Sequence, residues 1–230
     1  MMPKLQQQMA RWLRVGLIAS AGLAMLGCAT PKGYDYTAFK AHQPRSILVL
    51  PPVNQSPEVG ASYSVLSHVT YPLAEAGYYV MPVALVAETF KQNGLTNPDE
   101  MHAVPARKLT EIFGADAALY MTVQRYGVSY TILDSAAVVT VSGRLVDLKT
   151  GTLLWQGGAT ASNNEGGNNN QGGLAGVLIA AVVKQVINNL NDQSHQVASV
   201  ATQRMLSGGR GNGILYGPRS PMFVKDQQPK

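Results

Sequence analysis

The stretch Ser46–Pro52 reads S-I-L-V-L-P-P and decides the fold of this 230-residue chain. It places four consecutive apolar residues, Ile47–Leu50, before two prolines. An unbroken apolar run of this kind, stopped by proline, is typical of a strand that is buried on both faces. Because such strands occur in sheets covered by helices on both sides, the sequence predicts a layered α/β fold around Ser46–Pro52.

Helical and extended patterns alternate along the chain after this strand. The predicted elements are, in order, the helix Ser62–Ala76, the strand Tyr78–Val83, the helix Val83–Phe90 and a helix from Pro105 to Phe113. Ser62 is expected to cap the first helix, and Pro72 to kink or restart it. Asn93-Gly94 and Gly114 are expected to end the other two helices, with a short polar stretch opening at Asn97-Pro98. This alternation favours a layered α/β sheet.

The second half of the chain is richer in strand patterns. Ala117–Val128 starts as a buried strand and becomes alternating, and Ala136–Leu148 predicts a strand with one mixed face. Lys149-Thr150-Gly151 predicts a tight turn that brings Thr152–Ala161 back as the partner strand. The predicted fold class is therefore α/β, a layered mixed sheet flanked by helices, with a carboxy-terminal β-hairpin and a long amphipathic helix.

That helix is predicted from the segment after the hairpin. Residues 162–173 are rich in Asn and Gly and predict a flexible loop, because they bring little apolar area to bury. Leu174–Leu190 then predicts an amphipathic helix that continues in some form to Met205. Its unbroken apolar part is ten residues long, too short to cross a bilayer, and its wide apolar face would suit a neighbouring subunit. The tail, residues 208–230, is expected to be extended.

Residues 1–27 predict an export signal. Lys4, Arg11 and Arg14 precede a short apolar run that ends at Gly27-Cys28, and no acidic residue comes before Cys28. A charged start before an apolar run too short to span a bilayer is typical of a secretory signal peptide. Gly27-Cys28 further resembles a bacterial lipobox, in which cleavage before the cysteine accompanies attachment of diacylglycerol to its sulfur and an acyl chain to its new amino group. The alternative is a plain signal peptide with an incidental thiol.

The leader changes what the charge and cysteine content mean. The chain has 18 basic and 13 acidic residues, and because three of the basic ones lie in the leader, the mature net charge is only about +2. We therefore expect no nucleic-acid partner. Cys28 is the only cysteine, so its lipidation excludes disulfides and cysteine-zinc sites.

The mature chain is expected to form one domain on a membrane tether. Residues 28–45 contain prolines and a glycine without a sustained period, and they predict the lipidated tether. Two interpretations stay open for Tyr34, Tyr36 and Phe39: contact with the membrane interface, where aromatic residues are enriched, or a solvent-exposed tether. Residues 46–207 are then expected to form a single periplasmic α/β domain, since about 200 mature residues are enough for one core.

The search for catalytic and ligand-binding residues yields no site. The sequence contains no G-x-S-x-G elbow and no Walker loop. Four histidines, no two of them three or four residues apart, are expected to be surface or half-buried side chains and not metal ligands: His42, His68, His102 and His195. Asp147 is expected to bind backbone amides of the adjacent turn and not to act as a catalytic acid. We expect no catalytic residue, metal or cofactor, apart from the covalent lipid on Cys28.

Several segments together resemble a proteobacterial lipoprotein family typified by a neisserial surface antigen. They are Y-D-Y-T-A-F (34–39), P-R-S-I-L-V-L-P-P (44–52), K-Q-N-G-L-T-N (91–97), F-G-A-D-A-A-L-Y (113–120), N-N-N-Q-G-G (168–173) and L-Y-G-P-R-S (215–220). The resemblance covers nearly the whole chain and implies a location and a fold more than a mechanism.

A more distant resemblance rests on G-A-D (114–116) and V-D-L-K-T-G (146–151). These segments are similar to the curli-secretion lipoprotein and to the periplasmic lipoprotein of an exopolysaccharide export system. The resemblance implies an α/β domain like the amino-terminal domain of the Tol translocation protein. Since some of these relatives assemble into rings, it also implies a homo-oligomer.

Together these features favour a non-enzymatic lipoprotein that is anchored in the outer membrane, faces the periplasm and serves as a scaffold or accessory subunit of an envelope assembly or export system. Ala29 stands where Asp would favour the inner membrane by resemblance to known lipoproteins, and exposure on the cell surface is the alternative orientation. The expected partners are the outer membrane, other envelope proteins and further copies of the chain.

Two other function classes stay open. An envelope hydrolase acting on peptidoglycan or glycan would need a cleft with convergent carboxylates or a Ser-His pair, and the spacing shows neither. A small-ligand binding module is the other alternative.

Overall fold

The computed structural model describes residues 34–130, 135–165 and 193–227. The strands are β1 (Ser46–Val49), β2 (Val53–Asn54), β3 (Tyr79–Val80), β4 (Ala117–Tyr130), β5 (Ser135–Asp147) and β6 (Leu153–Ser162). The helices are α1 (Thr37–His42), α2 (Ala61–Ser67), α3 (Thr70–Glu75), α4 (Val83–Gln92), α5 (Pro98–His102), α6 (Ala106–Phe113), α7 (Gln193–Leu206) and α8 (Phe223–Gln227). The strands form one six-stranded sheet in the order β3-β1-β4-β5-β6, with β2 paired to β4. The predicted α/β class, a mixed sheet flanked by helices, is confirmed.

β1 is the centre of the parallel half of the sheet. It pairs in parallel with β3 on one side and with β4 on the other. Ile47 and Val49 contribute to a core cluster with α2, α3 and α7, whereas Leu48 and Leu50 contribute to a second cluster with α4, α5 and α6. All four side chains are 0% exposed, which confirms a strand buried on both faces.

The antiparallel half of the sheet consists of β4, β5 and β6. β5 pairs with β6 across the turn at residues 149–151, so the predicted hairpin is confirmed. Val139, Val141 and Leu145 point into the first core cluster, against α7. The alternate residues of β5 are half-buried or exposed, as the predicted alternation requires. A bulge between Val123 and Arg125 interrupts the β4–β5 register.

The predicted helix Ser62–Ala76 is two helices, α2 and α3. They separate at His68 and Val69, four and three residues before Pro72. Because proline has no N–H, Pro72 cannot continue the hydrogen-bond ladder to the carbonyl of His68, and the chain restarts. The prediction of Ser62 as the N-cap was wrong: α2 begins at Ala61, and the Ser62 hydroxyl donates to the Pro52 carbonyl over 2.6 Å.

The prediction that the tether extends to residue 45 was wrong over its second part, because the folded unit begins at Tyr34. Residues 37–42 form α1, and Phe39 is buried in the first core cluster. The Tyr34 N–H donates to Asn212 Oδ1 over 3.2 Å, and the Tyr36 hydroxyl donates to the Gly213 carbonyl. Contacts with a segment distant in sequence therefore hold this region, so it is not a solvent-exposed tether.

The tail also packs on the domain instead of being extended. Ile214 and Leu215 are buried, and the Gly217 N–H donates to the Ala76 carbonyl over 2.7 Å. Gly77 permits this approach, because its φ is +94° and a Cβ there would lie 2.4 Å from the Ser220 nitrogen. The chain then forms α8. Sequence periodicity could not show this, since the tail packs through isolated residues.

Side chains occupy the outer edge of β6, the last strand of the sheet. The Gln156 N–H donates to the Tyr34 hydroxyl, and the Arg204 guanidinium donates to the Thr160 carbonyl, both over 2.8 Å. An edge strand otherwise offers such groups to a strand of another chain. The start of the folded unit and α7 thus meet on the same strand.

Several sequence predictions concern residues outside the described ranges. They are the signal peptide, Cys28, the helix over Leu174–Leu190 and the loop after Glu165. The expected helix toward Met205 is α7, which ends at Leu206. Among the described helices, none is both long enough and apolar enough to cross a membrane.

Candidate functional site

The helices within the described ranges leave part of the second sheet face open. α4, α5 and α6 pack over Leu48 and Leu50 in the parallel half. Over β5 and β6, by contrast, the same face carries polar side chains in two cross-strand rows. We refer to this surface as the polar face, and its rows are Tyr120–Arg144–Gln156 and Thr122–Ser142–Gly158.

Arg144 and Tyr120 form the centre of the polar face. The Arg144 Cζ atom lies 5.9 Å from the centroid of the Tyr120 ring, in cation–π geometry. On the α5 side, the His102 ring meets the Tyr120 ring edge-on at 5.3 Å and 88°. His102 is fixed in turn by a 2.9 Å contact between its Nε2 and the Pro51 carbonyl. Three aromatic and cationic groups, one each from α5, β4 and β5, are thereby held in contact.

The charge of the polar face comes from Arg144. Burial lowers the pKa of His102 below its ordinary value, although the contact with Pro51 and the nearby Asp99 oppose this, so the imidazole is neutral at pH 7. Burial raises the pKa of the Tyr120 phenol, although Arg144 opposes this rise, so it is neutral too. Within the described ranges Arg144 makes no ion pair. The guanidinium is therefore available to an anionic or acceptor-rich partner.

The polar face forms a shallow concavity of about 590 Å³. Hydroxyl and amide groups of Thr122, Ser142 and Gln156 line it, and none of the described residues that line it is acidic. Gly158, opposite Ser142, leaves a dent in the second row because it has no side chain. The surface can donate several hydrogen bonds to carboxylate, hydroxyl or carbonyl oxygens. Among its described residues, the contact of His102 Nε2 is with the Pro51 carbonyl and not with a hydroxyl nucleophile.

A second polar cluster lies on the opposite face, between α2, α7 and β4. The Tyr126 hydroxyl donates to Ser64 Oγ over 2.8 Å, and Ser64 Oγ lies 2.7 Å from His195 Nδ1. The His195 ring is 4.3 Å from the His68 ring. The structure thus contains a Ser-His contact that the spacing did not show, because 131 residues separate Ser64 from His195. Such a contact is one part of a nucleophile–base arrangement.

The remaining sequence-predicted residues have structural surroundings. All four histidines are half-buried, as predicted. Asp147 Oδ1 accepts the N–H groups of Lys149 and Thr150 at 3.1 and 2.8 Å and the Thr150 hydroxyl at 2.8 Å, which confirms its role in the turn. Across the described ranges, no three His, Cys, Asp or Glu side chains are placed to hold a metal ion.

Another concavity, of about 550 Å³, lies beyond the carboxyl end of β1. Its apolar lining includes Pro51, Leu66, Ala87 and Met101. Open α/β sheets bind ligands beyond the carboxyl ends of their parallel strands. If the protein is a small-ligand binding module, this cavity is the place where the ligand would bind.

A known family has the same sequence pattern. The profile of the family described as "Putative lipoprotein GNA1162-like" matches residues 34–219 of the chain, beginning where the folded unit begins. The chain belongs to this family. It is 51% identical over 210 residues to the "Putative lipoprotein NMB1124/NMB1162" of Neisseria meningitidis serogroup B, a match that covers 90% of this chain and 95% of that protein. The resemblance to a neisserial lipoprotein family is thus confirmed.

Solved structures show likeness at two levels. The crystal structure of lipoprotein GNA1162 from Neisseria meningitidis is similar with a TM-score of 0.52 and 51% identity, over 64% of this chain and 100% of that chain. The PelC dodecamer from Paraburkholderia phytofirmans is similar at a lower level, with a TM-score of 0.40 and 14% identity, over 75% of this chain and 90% of that chain. Sequence identity and structural similarity to the neisserial lipoprotein therefore both support the GNA1162-like fold.

Proposed function

We propose that this GNA1162-like protein is an outer-membrane-anchored periplasmic lipoprotein that acts, without catalysis, as a scaffold or accessory subunit of an envelope assembly or export system. The observation that carries the proposal is the polar face, where the exposed Arg144 stacks on Tyr120 on a sheet surface left open by the described helices. Family membership supports the lipoprotein class, and the polar face supports a binding role.

The anchor in this proposal is Cys28. Diacylglycerol on its sulfur and an acyl chain on its amino group would hold the mature chain far more firmly than one chain, because each buried methylene adds about 0.8 kcal/mol. Lipoproteins retained in the inner membrane have Asp after the acylated cysteine, by resemblance to known lipoproteins. This chain has Ala29 at that position, which supports the outer membrane as the destination. The proposed orientation is toward the periplasm, and the proposed partners include other envelope proteins and further copies of the chain.

The shape of the polar face favours a macromolecular partner. A shallow surface on three long strands is rigid but encloses little, whereas small-ligand sites surround most of their ligand. Arginine and tyrosine are the residue types that contribute most to protein interfaces, and here they lie together at the centre of the surface. A partner with acidic or acceptor-rich groups would complement Arg144.

The proposal is tested with a photoreactive amino acid at Thr122, in the second row of the polar face. In living cells we expect a discrete crosslinked product, and Arg144→Gln should abolish it by removing the charge at the centre of the surface. Arg107→Gln is the matched control, because Arg107 is exposed on α6, away from the polar face. Both variants should fold. Identical crosslinked products from the probe-bearing protein without a further change, from Arg144→Gln and from Arg107→Gln would contradict the proposal.

The hydrolase alternative has one observation in its favour, the 2.7 Å contact between Ser64 Oγ and His195 Nδ1. Ser64 is already the acceptor of the Tyr126 hydroxyl, so its oxygen is held within a hydrogen-bonded chain. Labelling of Ser64 by a fluorophosphonate probe, with loss of the label in Ser64→Ala, would favour the hydrolase over the accessory role.

A further inference from the structure

A bulge in β4 turns a second arginine onto the polar face. Before the bulge, Val123 is buried in the first core cluster, and strict alternation would point Arg125 the same way. After the bulge it is instead Tyr126 whose hydroxyl reaches Ser64, on the side of α2 and α7. The extra residue therefore shifts the alternation, and the exposed Arg125 lies on the same face as Thr122.

Arg125 belongs to a third row of this face. It pairs with Thr140 of β5, which pairs in turn with Thr160 of β6. The hydroxyl oxygens of the two threonines are 3.1 Å apart, so both side chains lie on the same side of the sheet. The third row therefore extends the polar face by one cation and two hydroxyl groups.

The two arginines lie in the first and the third row. Arg144 and Thr140 are four residues apart on β5, and antiparallel strands rise about 3.4 Å per residue. Because Arg125 is paired with Thr140, it lies about 14 Å from Arg144 along the strands. Between the two arginines is the second row, which has two hydroxyl groups and one glycine: Thr122, Ser142 and Gly158. Two long cationic side chains thus stand at the ends of a low, polar floor.

Acidic side chains do not neutralise these two charges within the described ranges. Neither Arg144 nor Arg125 makes an ion pair there, and no residue of the three rows is acidic. Glu165, which follows β6, is already bound to Arg204 over 2.5 Å. The surface therefore complements two negative groups that are about 14 Å apart.

We propose that Arg144 and Arg125 together bind one extended acidic segment of a partner protein, with two carboxylate groups four residues apart. The inference rests on the proposed function, because it concerns the partner of the same surface. An extended chain advances about 3.4 Å per residue, so four residues match the separation of the two arginines. The unpaired backbone groups of an extended segment would also meet the hydroxyl groups of the floor, whereas a helix pairs its own backbone groups.

An acidic polysaccharide fits this surface less well than a protein segment. Sugar rings pack their apolar C–H faces on exposed aromatic rings. Tyr120 is the one aromatic residue of the three rows, and its ring already contacts Arg144 and His102. These contacts reduce the ring surface that is left for a sugar, so the described rows favour a protein segment.

The test compares two photoreactive positions in living cells that express the full chain. One is Thr122, as in the test of the proposed function, and the other is Thr140, one row or about 7 Å farther along the strands. Both side chains are half-buried on the same face. Mass spectrometry of the protease-digested products then identifies the residues of the partner that have reacted.

We expect both positions to react with one segment of one protein, at residues about two apart, because an extended chain covers about 7 Å in two residues. The segment should contain two acidic residues four positions apart. Arg125→Gln should lower the yield at both positions severalfold, and Arg125→Lys, which keeps the charge, should lower it less. Arg107→Gln is again the exposed control on α6 and should leave the yield unchanged.

Reaction sites about five residues apart would indicate a partner helix, which rises about 1.5 Å per residue, and would overturn the inference. A segment without the two acidic residues would overturn it too, and so would a heterogeneous product that resists proteases, which would indicate a polysaccharide. If Arg144→Gln abolishes the product at position 122 while Arg125→Gln leaves it unchanged, this inference fails and the proposed function stands. The absence of a product at both positions would remove the two together.

Discussion

In the parallel half of the sheet, Ile47–Leu50 are buried without interruption, whereas in the antiparallel half β5 buries only every second residue. Val141 and Leu145 of β5 have no exposed surface, and Arg144 beside them is exposed. The difference follows from the helices. Two groups of helices enclose β1, but the described helices cover β5 on one face only.

The comparison shows where this fold can place a binding surface. A polar side chain on β1 would be transferred from water into the core, at a cost of several kcal/mol unless it found a hydrogen-bond partner. On the second face of β5, polar side chains remain in contact with solvent. The antiparallel half can therefore carry the Arg144–Tyr120 centre on one face while its other face stays buried in the first core cluster.

The largest expected effect comes from a truncation in the parallel half. Leu50→Ala removes a fully buried side chain from the cluster between β1 and α4–α6. We expect the free energy of unfolding to fall by about 2–5 kcal/mol, because a packed core only partly closes the cavity left behind. Urea denaturation monitored by circular dichroism measures this. A midpoint unchanged by Leu50→Ala would show that Ser46–Pro52 is not the central strand.

A smaller effect separates the two faces of β5. Val141→Ala removes two methyl groups from the buried face and is expected to cost about 2 kcal/mol, the transfer free energy of those groups plus a cavity contribution. Val138→Ala makes the same change on the half-buried second face of the same strand and should cost less than about 1 kcal/mol. Equal losses in parallel denaturation curves would mean that both faces of β5 are covered in solution.

The smallest expected effect is pH-dependent and concerns the start of β4, where the two halves of the sheet join. Asp116 Oδ2 accepts the N–H groups of Arg45 and Ser46 at 3.0 and 3.1 Å and the Ser46 hydroxyl at 3.0 Å. Burial alone would raise the pKa of Asp116, but these hydrogen bonds and the charge of Arg45 lower it below its ordinary value. The carboxylate is therefore favoured in the folded state.

A group with a lowered pKa stabilises the fold above its unfolded pKa, and this contribution is lost as the pH falls through the folded value. Asp116→Asn should cost about 1 kcal/mol at pH 7 and less as the pH decreases below about 4. Thermal melts of both chains across this range measure the difference. A constant gap between the two curves would assign the loss to packing and not to the carboxylate.

Local patterns were sufficient for the sheet. The run Ile47–Leu50 identified the strand buried on both faces, and the turn at residues 149–151 identified the hairpin. Asn97-Pro98 contained a further signal that was missed: the Asn97 side chain accepts the Asp99 N–H over 3.0 Å and caps α5, with Pro98 at its first position. The helix is only five residues long, which is too short to show a helical repeat of apolar residues. The sequence therefore predicted only a polar stretch there.

Long-range contacts could not be predicted from such patterns. Tyr34 and Asn212 are 178 positions apart, so nothing near residues 34–45 indicated that this segment packs on the domain. A prediction of the polar face would have required the registers of β4 with β5 and of β5 with β6. The turn at residues 149–151 defines only the second of these, which pairs Arg144 with Gln156. The contact between Ser64 and His195 likewise exists only because α2 and α7 meet on the sheet.

The closure of the β6 edge has a consequence for folding and aggregation. Tyr34 and Arg204, which occupy this edge, come from the start of the folded unit and from α7, so the edge becomes protected only after most of the domain has been made. Contacts so distant in sequence form slowly, because the entropy of a long loop is lost before the contact contributes. During that interval the ten residues of β6 present unpaired backbone groups to other chains. The nascent domain is thus expected to be most prone to self-association before α7 docks and Arg204 reaches the Thr160 carbonyl.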